Sequence, residues 1–163
     1  MGVTDDLLEN NRAFASTQVP RQLEVAPTLQ LAIVTCMDSR LDVFAALGLD
    51  HGQAHVLRNA GGVVTDDVIR SLAISQRRLG TRTVMLIHHD DCGLQLITDE
   101  GFSAELEASG GMPPPFAIES FTCVDDDVRK SIDRVRSSPF LPHREDVRGF
   151  VYEVSSGVLR EVD

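Results

Sequence analysis

Basic residues are scarce in this chain. Fifteen Lys and Arg stand against 25 Asp and Glu, a formal net charge of −10 over 163 residues. That balance argues against nucleic-acid or anionic-membrane binding, because both partners favour clustered cations. Long hydrophobic runs are also missing; the apolar stretches fall far short of the roughly 20 residues needed to span a bilayer. There are only three cysteines, an odd number, which rules out a disulfide framework. In a reducing compartment Cys36 and Cys92 read as ligands or reactive thiols, and Cys123, within FTCVDDDV, as a half-buried small apolar residue. The chain contains no internal repeat, no low-complexity tract and no domain linker. Its start, MGVTDDLLENN, is acidic and polar. That is unlike a secretory signal or a basic transit peptide, and the Ser or Thr of a myristoylation motif is absent. A cytoplasmic address is the expectation.

What is present suits one domain spanning 1–163, with 42% hydrophobic residues to build a core. Thr4 is placed to cap a first helix, Asp5 to Ala15, and Pro20 to Pro27 reads as a connector. The continuous apolar run from Leu31 to Thr35 predicts a strand covered on both faces. A short helix follows over Asp42 to Leu47, then a strand over Ala54 to Leu57 that runs into Arg58-Asn59-Ala60-Gly61-Gly62. Thr65 caps a strong helix, Asp66 to Leu79, which Gly80 stops. Thr83 to His88 is a third strand. Helices are expected over Asp99 to Ala108 and Glu119 to Arg136, on either side of the loop GGMPPP. A hairpin, Gly149 to Val154 and Val158 to Val162, closes the chain. Strands alternating with helices indicate an α/β fold around a largely parallel sheet. In such folds ligands bind beyond the carboxyl ends of the strands.

Both chemically rich motifs fall at those ends. TCMDSRLD follows the first strand and supplies Cys36, Asp38 and Arg40; HHDDCG follows the third and supplies His89 and Cys92. Two thiolates, an imidazole and a carboxylate form a donor set suited to Zn2+. The fourth position decides the chemistry. If Asp38 fills it, the site is closed; if Arg40 draws Asp38 into a charge-assisted pair, water can enter. Zinc can then lower the pKa of that water toward neutrality, and Asp38 can accept a hydrogen bond from the resulting hydroxide. Gly61 and Gly62 allow close backbone approach and offer N–H groups to a substrate oxygen. Met37, Val63, Val64 and Leu94 suggest an apolar rim, which suits a small neutral substrate.

Plainer readings compete with this one. A Cys at a strand end is commonly a buried hydrophobe, and a His-x-x-Cys pair alone is a weak signal. A structural zinc site more often uses C-x-x-C knuckles in loops. A phosphatase-like loop fails because Arg40 lies too close to Cys36. His51, His55, His88 and His143 read as surface or core residues, with His88 pointing to the opposite strand face from His89. Asp66 and Asp67 read as helix-start charges.

Taken together, CMDSRLD, RNAGG and HHDDCG resemble the β-class carbonic anhydrases of the short bacterial and archaeal type, from about Leu31 to the terminal hairpin. The resemblance implies Cys36, His89 and Cys92 as zinc ligands, an Asp38–Arg40 dyad beside the metal, and attack of zinc-bound hydroxide on carbon dioxide to give bicarbonate. It further implies a homodimer or homotetramer, with sites at a subunit interface and an N-terminal helix that crosses to the partner. Two departures stand out. Asp90 follows His89 where relatives commonly carry Thr or Tyr, so it either modulates the metal-bound water or points to solvent. No glutamine lies near Asp38 or Arg40. The same branch includes hydrolases of carbonyl sulfide (COS) and carbon disulfide (CS2), which are linear analogues of CO2. A non-catalytic zinc protein with Asp38 permanently bound is the remaining alternative.

Overall fold

A computed structural model describes residues 2–18 and 23–163, so the first three residues of the connector predicted over Pro20 to Pro27 lie outside the described residues. Among these residues five strands form one mixed sheet in the order β2-β1-β3-β4-β5. They are β1 (Leu31–Cys36), β2 (Ala54–Asn59), β3 (Thr83–His89), β4 (Val147–Tyr152) and β5 (Leu159–Val162). The first three pairings are parallel and only β4–β5 is antiparallel, as the alternation of strands and helices implied. Among the described residues five α-helices accompany the sheet: α1 (Val3–Thr17), α2 (Val43–Leu47), α3 (Asp66–Leu79), α4 (Asp99–Gly110) and α5 (Val124–Ser137). None among the described residues is long and apolar enough to cross a membrane.

The period-two alternation of the strands sorts the core. Ala32, Val34, Val84 and Leu86 face Val68 and Leu72 of α3 and Val128, Ile132 and Val135 of α5, all buried on one side of the sheet. The intervening residues Ile33 and Ile87 turn to the other side and pack with Val43 of α2. This is why β1 reads as an unbroken apolar run: neither face meets water. The helix α3 begins as predicted, with Thr65 Oγ1 accepting from Val68 N, and ends at Gly80. Asp67 pairs with Arg70, and Asp66 with Arg134, so both are helix-start charges.

Several predicted boundaries move. The first helix starts at Val3 rather than Asp5, with the Asp5 carboxylate accepting from Gly2 N, so Thr4 lies inside the first turn and is not the cap. The fifth helix starts at Val124, not Glu119. Glu119 has φ +60, outside the helical region, and its carboxylate is held by Lys130 and Arg134. The terminal hairpin pairs Val147–Tyr152 with Leu159–Val162, shifted toward the N-terminus from the predicted strand by the pairing of Val84 with Val147.

Contact between α5 and β4 requires Gly149. A Cβ there would overlap Val128 Cγ1 and meet Ile132 Cδ1 at 2.8 Å. Gly149→Ala is expected to lower stability by about 1–3 kcal/mol through overpacking, read as a fall in the thermal midpoint of several degrees; an unchanged midpoint would show that α5 can shift without cost.

Candidate metal centre

The parallel pairing of β1 with β3 sets the site. In that register Thr35 faces Ile87, so the residues just beyond, Cys36 on one strand and His89 on the other, emerge side by side at the carboxyl edge. Cys92 returns on the turn after β3. The Sγ atoms of Cys36 and Cys92 and a ring nitrogen of His89 lie within 4.8 Å of one another, and all three residues are buried. The glycines of RNAGG make this approach possible. Both have positive φ (76 and 74), and a Cβ on Gly62 would sit 2.9 Å from Cys36 N and 3.2 Å from Ile87 O. A Cβ on Gly61 would collide with Leu94 Cδ1.

The donor chemistry fits a thiophilic dication. His89 Nδ1 donates to the Asp90 carbonyl at 2.7 Å, which leaves Nε2 as the unprotonated nitrogen. That Nε2 is buried and has no hydrogen-bond partner. A buried lone pair without a donor is costly unless something electropositive meets it. The Cys92 thiol hydrogen-bonds Cys36 and, with His89 nearby, brings the Cys36 thiol down to about 4. The same shared proton, together with burial, pushes Cys92 up. Burial opposes charge on His89, but the Cys36 sulfur beside it raises its pKa overall. Two sulfurs contending over one proton are poised to exchange it for a metal ion.

Asp38 is held beside this set. Arg40 Nε donates to Oδ1 at 3.0 Å, Arg40 Nη2 donates to Oδ2 at 2.7 Å, and the Arg40 backbone N–H donates to Oδ1 at 2.9 Å. These bonds hold the Asp38 carboxyl well below the usual carboxylate range. The pair is therefore intact at neutral pH and is lost only as pH falls well under the unfolded value of about 3.9. Asp38 Oδ2 stands 3.7 Å from His89 Nε2.

A family model described as carbonic anhydrase matches residues 31–110. "Beta-carbonic anhydrase 1" of Mycobacterium tuberculosis is 49% identical over 162 residues, covering 99% of each chain. The chain belongs to the β-carbonic anhydrase family. A solved carbonic anhydrase from Streptococcus mutans superposes with a TM-score of 0.93 at 41% identity, covering 100% of this chain and 99% of that one. A "Carbon disulfide hydrolase" of Acidithiobacillus thiooxidans is 32% identical, covering 86% of this chain and 80% of that protein. The chain is thus an enzyme of a lyase-type family that also contains hydrolases.

For a β-carbonic anhydrase, several surrounding residues carry more than the sequence suggested. Arg58, within RNAGG, donates to the carbonyls of Cys36 (2.9 Å), Asp38 (2.6 Å) and Leu41 (3.1 Å), tying the loop after β1 to β2. Phe121 packs with Val63, Leu94 and the two cysteines, forming an apolar wall from a segment with no motif. The predicted rim is only partly correct. Val63 and Leu94 do lie there, but Val64 belongs to the main core and Met37 is exposed. A cavity of about 520 Å³ adjoins the RNAGG turn, lined by Asn59, Val63, Leu94 and Phe102 among others, yet none of the three donors lines it.

The remaining titratable residues sort plainly. Asp90 Oδ1 accepts from Val154 N at 2.8 Å, joining the end of β3 to the β4–β5 connection. His88 is fully buried on the α5 side, its Nε2 2.9 Å from Asp127 Oδ2. His51 is exposed, and His55 and His143 are half-buried. Cys123 is exposed, not half-buried as expected, because it precedes the first turn of α5.

Removing the Arg58 clasp should loosen the ligand loop. Arg58→Ala is expected to cost about 1–3 kcal/mol of stability and to speed metal loss in a chelator competition. Metal retention equal to wild type would show that the loop holds its shape without Arg58.

Proposed function

We propose that this β-carbonic anhydrase family member catalyses the reversible hydration of carbon dioxide to bicarbonate with zinc as its cofactor. Cys36, His89 and Cys92 would hold the metal, Asp38 and Arg40 would act beside it, and the amides of Gly61 and Gly62 would face the substrate. Bound there, zinc would supply Lewis acidity, lowering the pKa of an associated water from about 16 toward about 7. One observation carries the reading: Arg40 occupies both carboxylate oxygens of Asp38 while Asp38 stays beside the donor set. A carboxylate gripped in this way is kept off the metal and still accepts a hydrogen bond on its free lone pairs. This works against the non-catalytic alternative, in which Asp38 would be a permanent ligand.

Asp90 is read as a structural link in this proposal, since its carboxylate serves Val154. The apolar wall of Val63, Leu94 and Phe121 excludes water and suits a neutral linear substrate. A homodimer or homotetramer is part of the same reading: α1 buries none of its residues and leaves Leu7, Leu8 and Phe14 exposed. A cytoplasmic setting agrees with three unpaired cysteines.

A second reading is hydrolysis of carbonyl sulfide or carbon disulfide. The carbon disulfide hydrolase relative supports it, and the same donor set would serve, because only one or two oxygens of the substrate become sulfur.

Asp38→Asn and Arg40→Ala are expected to keep a full complement of zinc by elemental analysis while hydration slows on the order of a hundredfold; wild-type turnover in both would remove the dyad from the mechanism. Cys36→Ser should instead lose the metal. Rates of the purified protein on carbon dioxide, carbonyl sulfide and carbon disulfide, measured side by side, should favour carbon dioxide. A much higher rate on either sulfur analogue would replace the first reading with the second.

A further inference from the structure

Arg40 serves two masters, and only one of them is Asp38. Its Nη1 donates to Asp91 Oδ2 at 2.7 Å, and its Nη2 donates to the Asp91 carbonyl at 3.0 Å as well as to Asp38. Asp38 and Arg40 sit on the loop after β1, whereas Asp91 sits on the turn after β3, between His89 and Cys92. The guanidinium therefore bridges the two loops that supply the donors.

The backbone at Asp91 is shaped for this contact. Asp91 has φ +52, one of only three positive-φ residues other than glycine among the described residues. That conformation disfavours most side chains but is tolerated by Asp and Asn. It lets the carbonyl and the carboxylate of one residue meet one guanidinium. A strained residue next to a functional group, with its strain tied to a specific contact, points to a positional role.

Without an anchor of its own, Arg40 could not hold Asp38 in place. Its side chain is 43% exposed, and long exposed side chains sample many rotamers. Asp38 is attracted by whatever cation the donor set holds. Two contacts to Asp91 restrict the guanidinium to the rotamer in which both Asp38 oxygens are engaged. We infer that Asp91 is a positioning residue that keeps Asp38 gated off the metal by anchoring Arg40. The inference rests on the proposed metal site and dyad, and it adds a third member that touches neither metal nor substrate.

The test reads the fourth position directly rather than through turnover. Protein loaded with Co2+ in place of zinc reports ligand entry as a change in its visible absorption spectrum, and azide is the probe, titrated at one fixed pH. Asp91→Gly keeps the positive φ and the carbonyl but removes the carboxylate; Asp91→Asn keeps the φ and leaves a neutral acceptor. Asp91→Gly should weaken azide binding about fivefold, because a smaller open fraction raises the apparent Kd in proportion. Asp91→Asn should fall between Asp91→Gly and wild type. Adding Asp38→Ala to Asp91→Gly should restore azide binding, since no carboxylate remains to close the site. Unchanged azide affinity in both single variants, at full cobalt occupancy, would overturn the role of Asp91. If Arg40→Ala also left azide affinity unchanged, the dyad itself would fail, which separates the two ideas. Should Asp91→Gly not fold, Asp91→Asn alone decides, with wild-type affinity as the overturning result.

Discussion

The parallel register of β1 against β3 is the constraint on which everything else in this protein depends. It aligns two strand ends whose loops carry Cys36 on one side and His89 and Cys92 on the other. A slip of one residue would exchange His88 for His89 at the edge and present a nitrogen now committed to Asp127. The register is held by burial on both faces, with Ala32 and Val34 against α3 and α5 and Ile33 against α2. It is also held by Gly62, which fits against Cys36 N and Ile87 O where no side chain has room. The candidate donors are thus placed by the core, and the loops merely extend what the core has set.

Around that fixed point the charges form a graded arrangement. The two sulfurs are buried against each other and His89 Nε2 is buried without a partner, which is the electrostatic state a dication relieves. Asp38 is the next layer out, held by Arg40, and Arg40 is in turn held by Asp91 at the surface. The inner groups include an unpartnered nitrogen, and the outer ones are held by one another. Arg58 acts from below, fixing the carbonyls of the β1 loop. Each layer restrains the one inside it, so the geometry at the donors depends on residues several bonds away.

Much of this was legible in the sequence for physical reasons. Apolar runs of strand length, a capped amphipathic α3 and the alternation of elements specify a parallel sheet. Residues such as Cys36 and His89 announce themselves by type and by following those runs. Contacts made by chain segments distant in sequence were not legible. Phe121 reaches the cysteines from a segment without a motif, Arg58 acts through backbone carbonyls that any sequence would supply, and Asp91 matters through a φ angle. Boundaries shifted where long-range pairing overrode local preference: Glu119 left the expected helix for Lys130 and Arg134, and Val147 entered β4 because Val84 lies opposite it.

The chain's amino-acid order by itself determined the fold class and the family and singled out the candidate donors, because each follows from local periodicity and from residue types at strand ends. Only the tertiary structure decided the direction of each group. Asp90 faces the β4–β5 connection because Val154 N–H lies within its reach, His88 turns to Asp127 because strand side chains alternate, and Arg40 lies between Asp38 and Asp91 because folding brings the two loops together. Side-chain direction is set by neighbours that meet only on folding, so it is a property of the packed molecule.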